Sequence, residues 1–240
     1  MIKKTSKLSE FKHFKSLAEE WWDPNGKYKI LHKLNPIRLK YIKEIIKKNN
    51  INSKSLNNLS LLDLGCGGGL ICEPLSRLGI KVTGIDFVKE NIKIAKDHAK
   101  KSDLRINYVY QDLENLKIKK KFDIILMLEV IEHLDDFKRI INTNMNLLKP
   151  NGKLILSTIN RTFLSKIFAI LIAENILKII PKNTHSYEKL IKPEELIDFL
   201  NNNGFKVIDT TGLIFNPISR EWLLNKNNLN INYFCSAIKN

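Results

Sequence analysis

Cysteine is scarce. Cys66, Cys72 and Cys235 are the three in 240 residues. No two of them form a C-x-x-C pair or a metal-ligand spacing. That excludes a disulfide framework or a zinc module as the basis of the fold, and reduced thiols are expected. Long hydrophobic runs are missing too. No stretch of about 18 uncharged apolar residues is present, so no transmembrane helix is expected. Met1-Ile2-Lys3-Lys4 leads into polar residues, not an apolar segment, so a secretory leader is not expected either. Acids are outnumbered: 25 Asp and Glu against 40 Lys and Arg give a net charge of +15 and a pI near 9.6. Such a balance invites nucleic acid or an anionic membrane. Lys, Asn and Ile are abundant throughout, however, including the polar connector 49–60. The excess therefore reads as a global bias with lysine filling solvated positions, more than as a dedicated RNA surface. A weak attraction to anionic lipid survives either reading.

What is present centres on Leu61-Leu62-Asp63-Leu64-Gly65-Cys66-Gly67-Gly68-Gly69-Leu70. A short apolar run ends in an acid and a glycine cluster, the pattern of a buried parallel strand entering a tight turn and a helix. Glycines there admit backbone angles closed to other residues and let a ligand lie against the main chain. Lys81-Val82-Thr83-Gly84-Ile85-Asp86 is a second strand with an acid at its tip, the place from which a carboxylate accepts hydrogen bonds from a ribose diol. A dinucleotide fingerprint needs glycine at the sixth position of G-x-G-x-x-G. Leu70 stands there. The G-x-G-G-G pattern instead resembles the first motif of S-adenosylmethionine-dependent methyltransferases. A glycine-rich turn without a ligand is the competing reading.

Around this pair, strands and helices alternate. Helices are expected over 9–22 (Phe11, Phe14, Leu17, Ala18, Trp21 and Trp22 at helical spacing), 37–48, 72–78, 89–101, 135–148 and 193–202. Asn35-Pro36 supplies an N-cap and an N1 proline for the second of these. Strands are expected at 106–110, 122–128, 153–158, 205–209 and 231–238. Alternation implies a parallel, doubly wound sheet, whose ligands bind at the carboxyl ends of the strands. Gly65, Asp86, Asp112 and Glu129 all fall at carboxyl ends. Residues 163–181 interrupt the pattern with a helix apolar almost all round, fitting a packed insertion, a lid over a greasy substrate, or an element lying in a membrane interface. Residues 1–50 thus read as an N-terminal helical cap, and 51–240 as the main domain, with an insertion at about 160–192. Arg38, in the first turn of its helix, opposes the helix dipole. Its partner is either a cofactor carboxylate or a structural acid.

Methyl transfer from a sulfonium is a direct displacement that needs alignment and an electron-rich nucleophile. A phenol must lose its proton before or during attack. Glu129, Glu132 and His133 suit two roles. His133 is a natural general base, or the three together hold a Mg²⁺ that lowers the phenol pKa. A third reading leaves Glu129 to order the cofactor and His133 to order a loop. A base-methylating enzyme would carry an N/D-P-P-Y/F-like motif here to stack a flipped base. Glu129-Val130-Ile131-Glu132 has no such platform, so nucleic acid is not the expected partner.

Phe14-x-x-Leu17-Ala18-x-x-Trp21-Trp22-Asp23, Leu31-His32-x-x-Asn35-Pro36-x-Arg38, Asp63 to Gly69, Glu129 to His133 and Ser157-Thr158-Ile159-Asn160-Arg161 resemble the ubiquinone biosynthesis O-methyltransferase family. So do Pro181 to His185, Ile191-Lys192-Pro193-x-Glu195-Leu196 and Thr211-Gly212-Leu213-x-x-Asn216-Pro217. The resemblance implies a class I S-adenosylmethionine-dependent methyltransferase fold, with a seven-stranded, mostly parallel sheet, N-terminal helices and a helical insertion. It implies O-methylation of a polyprenyl catechol and of a demethylubiquinol. Its cofactor slots fall on Arg38, Gly65, Asp86 and Leu128, beside Gly67 and Asp112 from the strand-end reading, and its metal positions on Glu129, Glu132 and His133. It also implies lipid contact through about 162–182, other enzymes of ubiquinone biosynthesis as partners, and a cytoplasmic protein peripheral to the inner face of the plasma membrane. Leu128 stands where the family often has Met, and Ile30 where it often has Pro.

Overall fold

A computed structural model describes residues 20–48, 55–165 and 187–240. The expected helix at 9–22 is described only from residue 20 onward, and the expected insertion at about 160–192 only at 160–165 and 187–192.

Short, almost wholly apolar segments pair as a sheet because only neighbouring strands can satisfy their buried amides. The strands are β1 (Ser60–Leu64), β2 (Lys81–Asp86), β3 (Asn107–Tyr110), β4 (Phe122–Leu128), β5 (Leu148–Ile159), β6 (Phe205–Asn216), β7 (Glu221–Asn225) and β8 (Asn232–Lys239). They form one sheet in the order β3-β2-β1-β4-β5-β8-β6-β7. The first five are mutually parallel, and β8, β6 and β7 add antiparallel pairs at the far side. All five residues of β1 are buried, as expected for a strand covered on both faces.

The helices are α1 (Lys29–Lys48), α2 (Cys72–Arg77), α3 (Lys89–Lys101), α4 (Phe137–Asn144) and α5 (Pro193–Asn202). One apolar cluster takes in Tyr41, Ile42 and Ile45 of α1, Leu75 of α2 and Ile92 and Ala95 of α3. A second takes in Ile140 and Ile141 of α4 and Leu196 and Leu200 of α5. The helices therefore cover the two faces of a doubly wound sheet. The strand order reverses between β1 and β4, and that reversal opens the crevice in which such sheets bind ligands.

Several expectations are corrected. The sheet has eight strands, not seven: β7 is added, and β6 runs on past 209 to Asn216. The helix expected to start at Asn35-Pro36 starts at Lys29 and carries Pro36 inside it. Asn35 does not cap it. Its side chain reaches instead to the Leu70 carbonyl (3.4 Å), and burial of Leu34, Tyr41, Ile42, Ile45 and Ile46 outweighs the one helical hydrogen bond the proline forfeits. The fourth helix is shorter, 137–144, and ends in a 3-10 turn at Met145–Leu147. Lys153, fully buried on β5, donates to the Ile45 (2.5 Å) and Ile46 (3.0 Å) carbonyls and so pins the end of α1 to the sheet.

Candidate active site

The glycine turn follows β1 directly. The amides of Gly65 (2.8 Å) and Cys66 (2.9 Å) both donate to the Ile85 carbonyl, which locks the turn to β2. Gly65 has φ of 81° and Gly67 φ of 53°, a region that favours glycine. A Cβ on Gly65 would lie 2.5 Å from Val130 Cγ2, so this glycine also lets the β1 and β4 turns meet. On the other side the indole of Trp21 lies flat on the loop. A Cβ on Gly67 or Gly68 would come within 2.6 Å of its ring.

At the end of β2, Asp86 is buried and held by three donors. It accepts from the amides of Gly67 (2.9 Å) and Val88 (2.8 Å) and from Asn91 Nδ2 (3.2 Å). Burial raises its pKa to about 6 against the pull of those three donors. Tyr28 stacks on Trp21 at 3.9 Å between ring centres. Its buried hydroxyl has no hydrogen-bond partner among the described residues. Asp63 is buried at the end of β1 and takes Cys72 Sγ at 3.2 Å. Burial lifts its pKa to about 6 as well.

The β4 end is built differently. Glu129 has φ of 55°, a conformation that costs a non-glycine residue roughly 1 kcal/mol or more. Its backbone is held there by its amide bond to Ser157 of β5 (3.0 Å). Its carboxylate accepts from Ser157 Oγ (2.7 Å) and from Asn232 Nδ2, 3.0 Å from each oxygen. Arg38, buried on α1, brings Nη2 to 3.7 Å from the same carboxylate. Arg38 thus has a structural acid beside it, yet its Nε is buried with no hydrogen-bond partner among the described residues. Burial lowers its pKa, opposed by Glu129, Glu132 and Asp63.

Glu132 sits in a 3-10 turn (Ile131–His133) and is buried. One oxygen accepts from Thr158 Oγ1 (2.9 Å), and the other has no hydrogen-bond partner among the described residues. Burial, then the nearby Glu129 charge, raises its pKa well above the carboxylate range. Glu129 is thus tied to Ser157 and Glu132 to Thr158, consecutive residues of one strand. The two carboxylates remain near enough for the Glu129 charge to raise the Glu132 pKa and for both to act on Arg38. Among the described residues no three His, Cys, Asp or Glu side chains are grouped to hold a metal ion. Glu129, Glu132 and His133, expected as one possible Mg²⁺ set, are not gathered as a ligand group here. The segment that carries them is a left-handed residue followed by a 3-10 turn.

Asp112 is exposed, and its side chain accepts the Glu114 amide (3.0 Å) as the cap of a 3-10 turn. Leu128 is half-buried at the end of β4. Asn91, Asn232, Ser157 and Thr158, which hold the three acids, carry no local sequence signal, because each acts across at least five residues and up to 103.

The donor and acceptor set fits the two ends of a small zwitterionic nucleoside: a buried guanidinium whose Nε has no partner among the described residues, for a carboxylate, and a strand-end acid beside a glycine turn, for a ribose. Comparison with known proteins agrees. A family model described as a methyltransferase domain matches residues 62–156. The chain is 49% identical to the ubiquinone biosynthesis O-methyltransferase of Pelagibacter ubique, covering 96% of this chain and 97% of the relative. It is 42% identical to the protein of that name from Rickettsia typhi, covering 94% and 90%. Among solved structures it is similar to magnesium protoporphyrin IX methyltransferase from Synechocystis PCC 6803 with bound SAH, with TM-score 0.60, 19% identity and coverage of 85% and 84%. It is likewise similar to the PH0226 protein of Pyrococcus horikoshii, with TM-score 0.62, 18% identity and coverage of 92% and 95%.

Proposed function

The chain belongs to the ubiquinone biosynthesis O-methyltransferase family, and we propose that it methylates the phenolic hydroxyl of polyprenyl catechol and demethylubiquinol intermediates with S-adenosylmethionine as donor. The observation that carries this reading is the pairing, across the switch point, of the glycine turn and Asp86 with the buried Arg38–Glu129 pair. S-adenosylmethionine, when bound, supplies an electrophilic methyl group on a sulfonium.

The chain's own residues do the rest. Arg38 Nε donates to the carboxylate of the donor molecule. Asp86, still carrying free lone pairs beyond its three donors, accepts from a ribose hydroxyl. Gly65 and Gly67 let the ligand approach the main chain, and Leu128 packs against its base. The Asp112 backbone follows the same rim. Glu129, clamped by Asn232 and Ser157, holds Arg38 in place. His133, half-buried on the rim of the crevice, takes the phenolic proton as general base, a role worth roughly 10² to 10⁴ in rate. No step is routed through a metal ion.

The polyprenyl tail of such a substrate resides in a bilayer. The net charge of +15 and the exposed Phe163 and Leu164 just past β5 support docking on anionic lipid through about 162–182, on the inner face of the membrane and within reach of other enzymes of the route. No described helix is long and apolar enough to cross a membrane. We read residues 1–50 as a cap on a methyltransferase domain at 51–240. The test is product formation: incubation with S-adenosylmethionine and a short-prenyl catechol should yield a product heavier by one methyl group. Calorimetric binding of S-adenosylmethionine without that product, while RNA is methylated, would overturn the substrate assignment.

A further inference from the structure

The adjacent indoles of Trp21 and Trp22 both dock on α3, at two different places. Trp21 Nε1 donates to Asn91 Oδ1 (2.8 Å). Trp22 stacks on the His98 ring, 3.4 Å between centres and 2° from parallel. Asn91 and His98 are seven residues apart, two turns of helix, and so share one face of α3. Trp22 Nε1 also donates to the Gly68 carbonyl (3.0 Å). Behind the stack, His98 Nδ1 lies 2.7 Å from Oε1 of Glu73, a buried acid on α2 whose other oxygen takes Arg77 Nη2 at 3.3 Å. A continuous chain therefore runs from α2 through α3 and the cap to the glycine turn: Glu73, His98, Trp22, Gly68.

We propose that His98 and Glu73 are positioning residues for the cofactor turn, acting through Trp22. The turn needs such support. Gly67 is in the left-handed region (φ 53°), and the intrinsic freedom of glycine means that conformation is not self-enforcing. On its inner side the turn is held by the Gly67 amide bond to Asp86. On its outer side the described holds are the two indoles. A buried Glu73 fixes the imidazole, the imidazole fixes the plane of Trp22, and Trp22 fixes the Gly68 carbonyl. Loosening that chain costs the free protein its preorganised turn and so lowers affinity for the donor. Chemistry takes place at the β4 end, which the chain does not touch. The split is therefore specific: KM for S-adenosylmethionine rises and kcat does not. The inference rests on the S-adenosylmethionine reading of the site.

The experiment compares the full-length wild type with His98→Ala, His98→Phe and Glu73→Gln. Two readouts are used: steady-state KM and kcat for S-adenosylmethionine, and solvent exchange of the Trp22 indole N–H by NMR. His98→Ala is expected to raise KM about tenfold, equivalent to 1.4 kcal/mol, with kcat within about twofold, and to speed Trp22 exchange. His98→Phe keeps a stacking ring and restores most of the KM. Glu73→Gln falls between. An unchanged KM and unchanged Trp22 exchange in His98→Ala overturns the proposal, as does a fall in kcat at constant KM. If the wild type binds no S-adenosylmethionine, the functional reading fails on its own. The Trp22 exchange rates in wild type and His98→Ala still decide whether the chain from Glu73 holds the turn.

Discussion

Two buried acids define the two halves of the site, and they are treated in opposite ways. Asp86 at the end of β2 is surrounded by three donors, two of them backbone amides fixed by the glycine turn and the start of α3. Glu132 beyond β4 has one oxygen on Thr158 and one with no partner, and sits near Glu129. Donors stabilise a buried carboxylate, whereas isolation and a like charge push it toward the neutral acid. Both pKa values move up through burial, Asp86 only to about 6 and Glu132 well above its ordinary value. The first half thus holds its acid with fixed donors and presents backbone to a ligand. Buried polar atoms without a hydrogen-bond partner among the described residues occur in both halves: Tyr28 Oη and Asn35 Oδ1 beside the glycine turn, and Glu132 Oε1, Arg38 Nε and Asn232 Oδ1 at the β4 end. The halves therefore differ in how their acids are held: the first is the gripping half, and the second, which adds His133, the reactive half.

Changing His133 to Gln bears hardest on the reactive half. Turnover of a short-prenyl catechol should fall by roughly 10² to 10⁴, with S-adenosylmethionine affinity by calorimetry unchanged. Asp86→Ala bears on the gripping half and should do the reverse. Removing an acceptor for two buried amides costs roughly 3 kcal/mol, read as at least a hundredfold loss of S-adenosylmethionine affinity and a lower melting temperature. Asn232→Ala is smaller. Glu129 loses its two-oxygen contact and Arg38 its fixed partner, so affinity should drop about tenfold, consistent with one hydrogen bond to a charged group at roughly 1.5 kcal/mol. Equal effects of Asp86→Ala and Asn232→Ala on affinity and on rate would erase the division between the halves.

The smallest effect is on stability against pH. Burial raises the folded pKa values of Asp63 and Asp86 to about 6, from an ordinary value of 3.8. The folded state therefore binds more protons than the unfolded one between about pH 4 and 6, and each acid's contribution to stability falls as pH rises through that window. Asp63→Asn should flatten the decline in melting temperature of the ligand-free protein between pH 4 and 7. A decline as steep as the wild type's would show that Asp63 is not the titrating group.

The gripping half was the more legible in sequence, for a physical reason. Gly65, Gly67 and Asp86 act through backbone conformation and strand ends, which leave a local pattern of glycines and apolar runs. The positions of strands β1 to β4 followed from the same periodicity. The reactive half was legible only as a cluster of residue types. Spacing put Glu129, Glu132 and His133 within five residues, but their directions are set by Ser157, Thr158 and Asn232, from strands 26 or more residues away. The two acids and His133 are not gathered as a metal-ligand group there, and the positive φ at Glu129 sets a direction that no spacing reveals. Likewise the long β6 hid behind Thr210-Thr211-Gly212, a segment with few apolar residues that is strand because β8 and β7 pair with it. Pro36 was a plausible helix start and became a helix interior because α1 buries an entire face on the sheet.

The central claim is that the phenolic proton leaves to the protein's own base at the β4 end and not to a metal-bound group. It is tested most directly by methyl transfer from labelled S-adenosylmethionine to a short-prenyl catechol, with the protein treated with EDTA and then with Mg²⁺ added back. The account predicts the same turnover in all three conditions, falling with pH in step with protonation of a single base that His133→Gln removes. Turnover abolished by EDTA and restored by Mg²⁺ would contradict it.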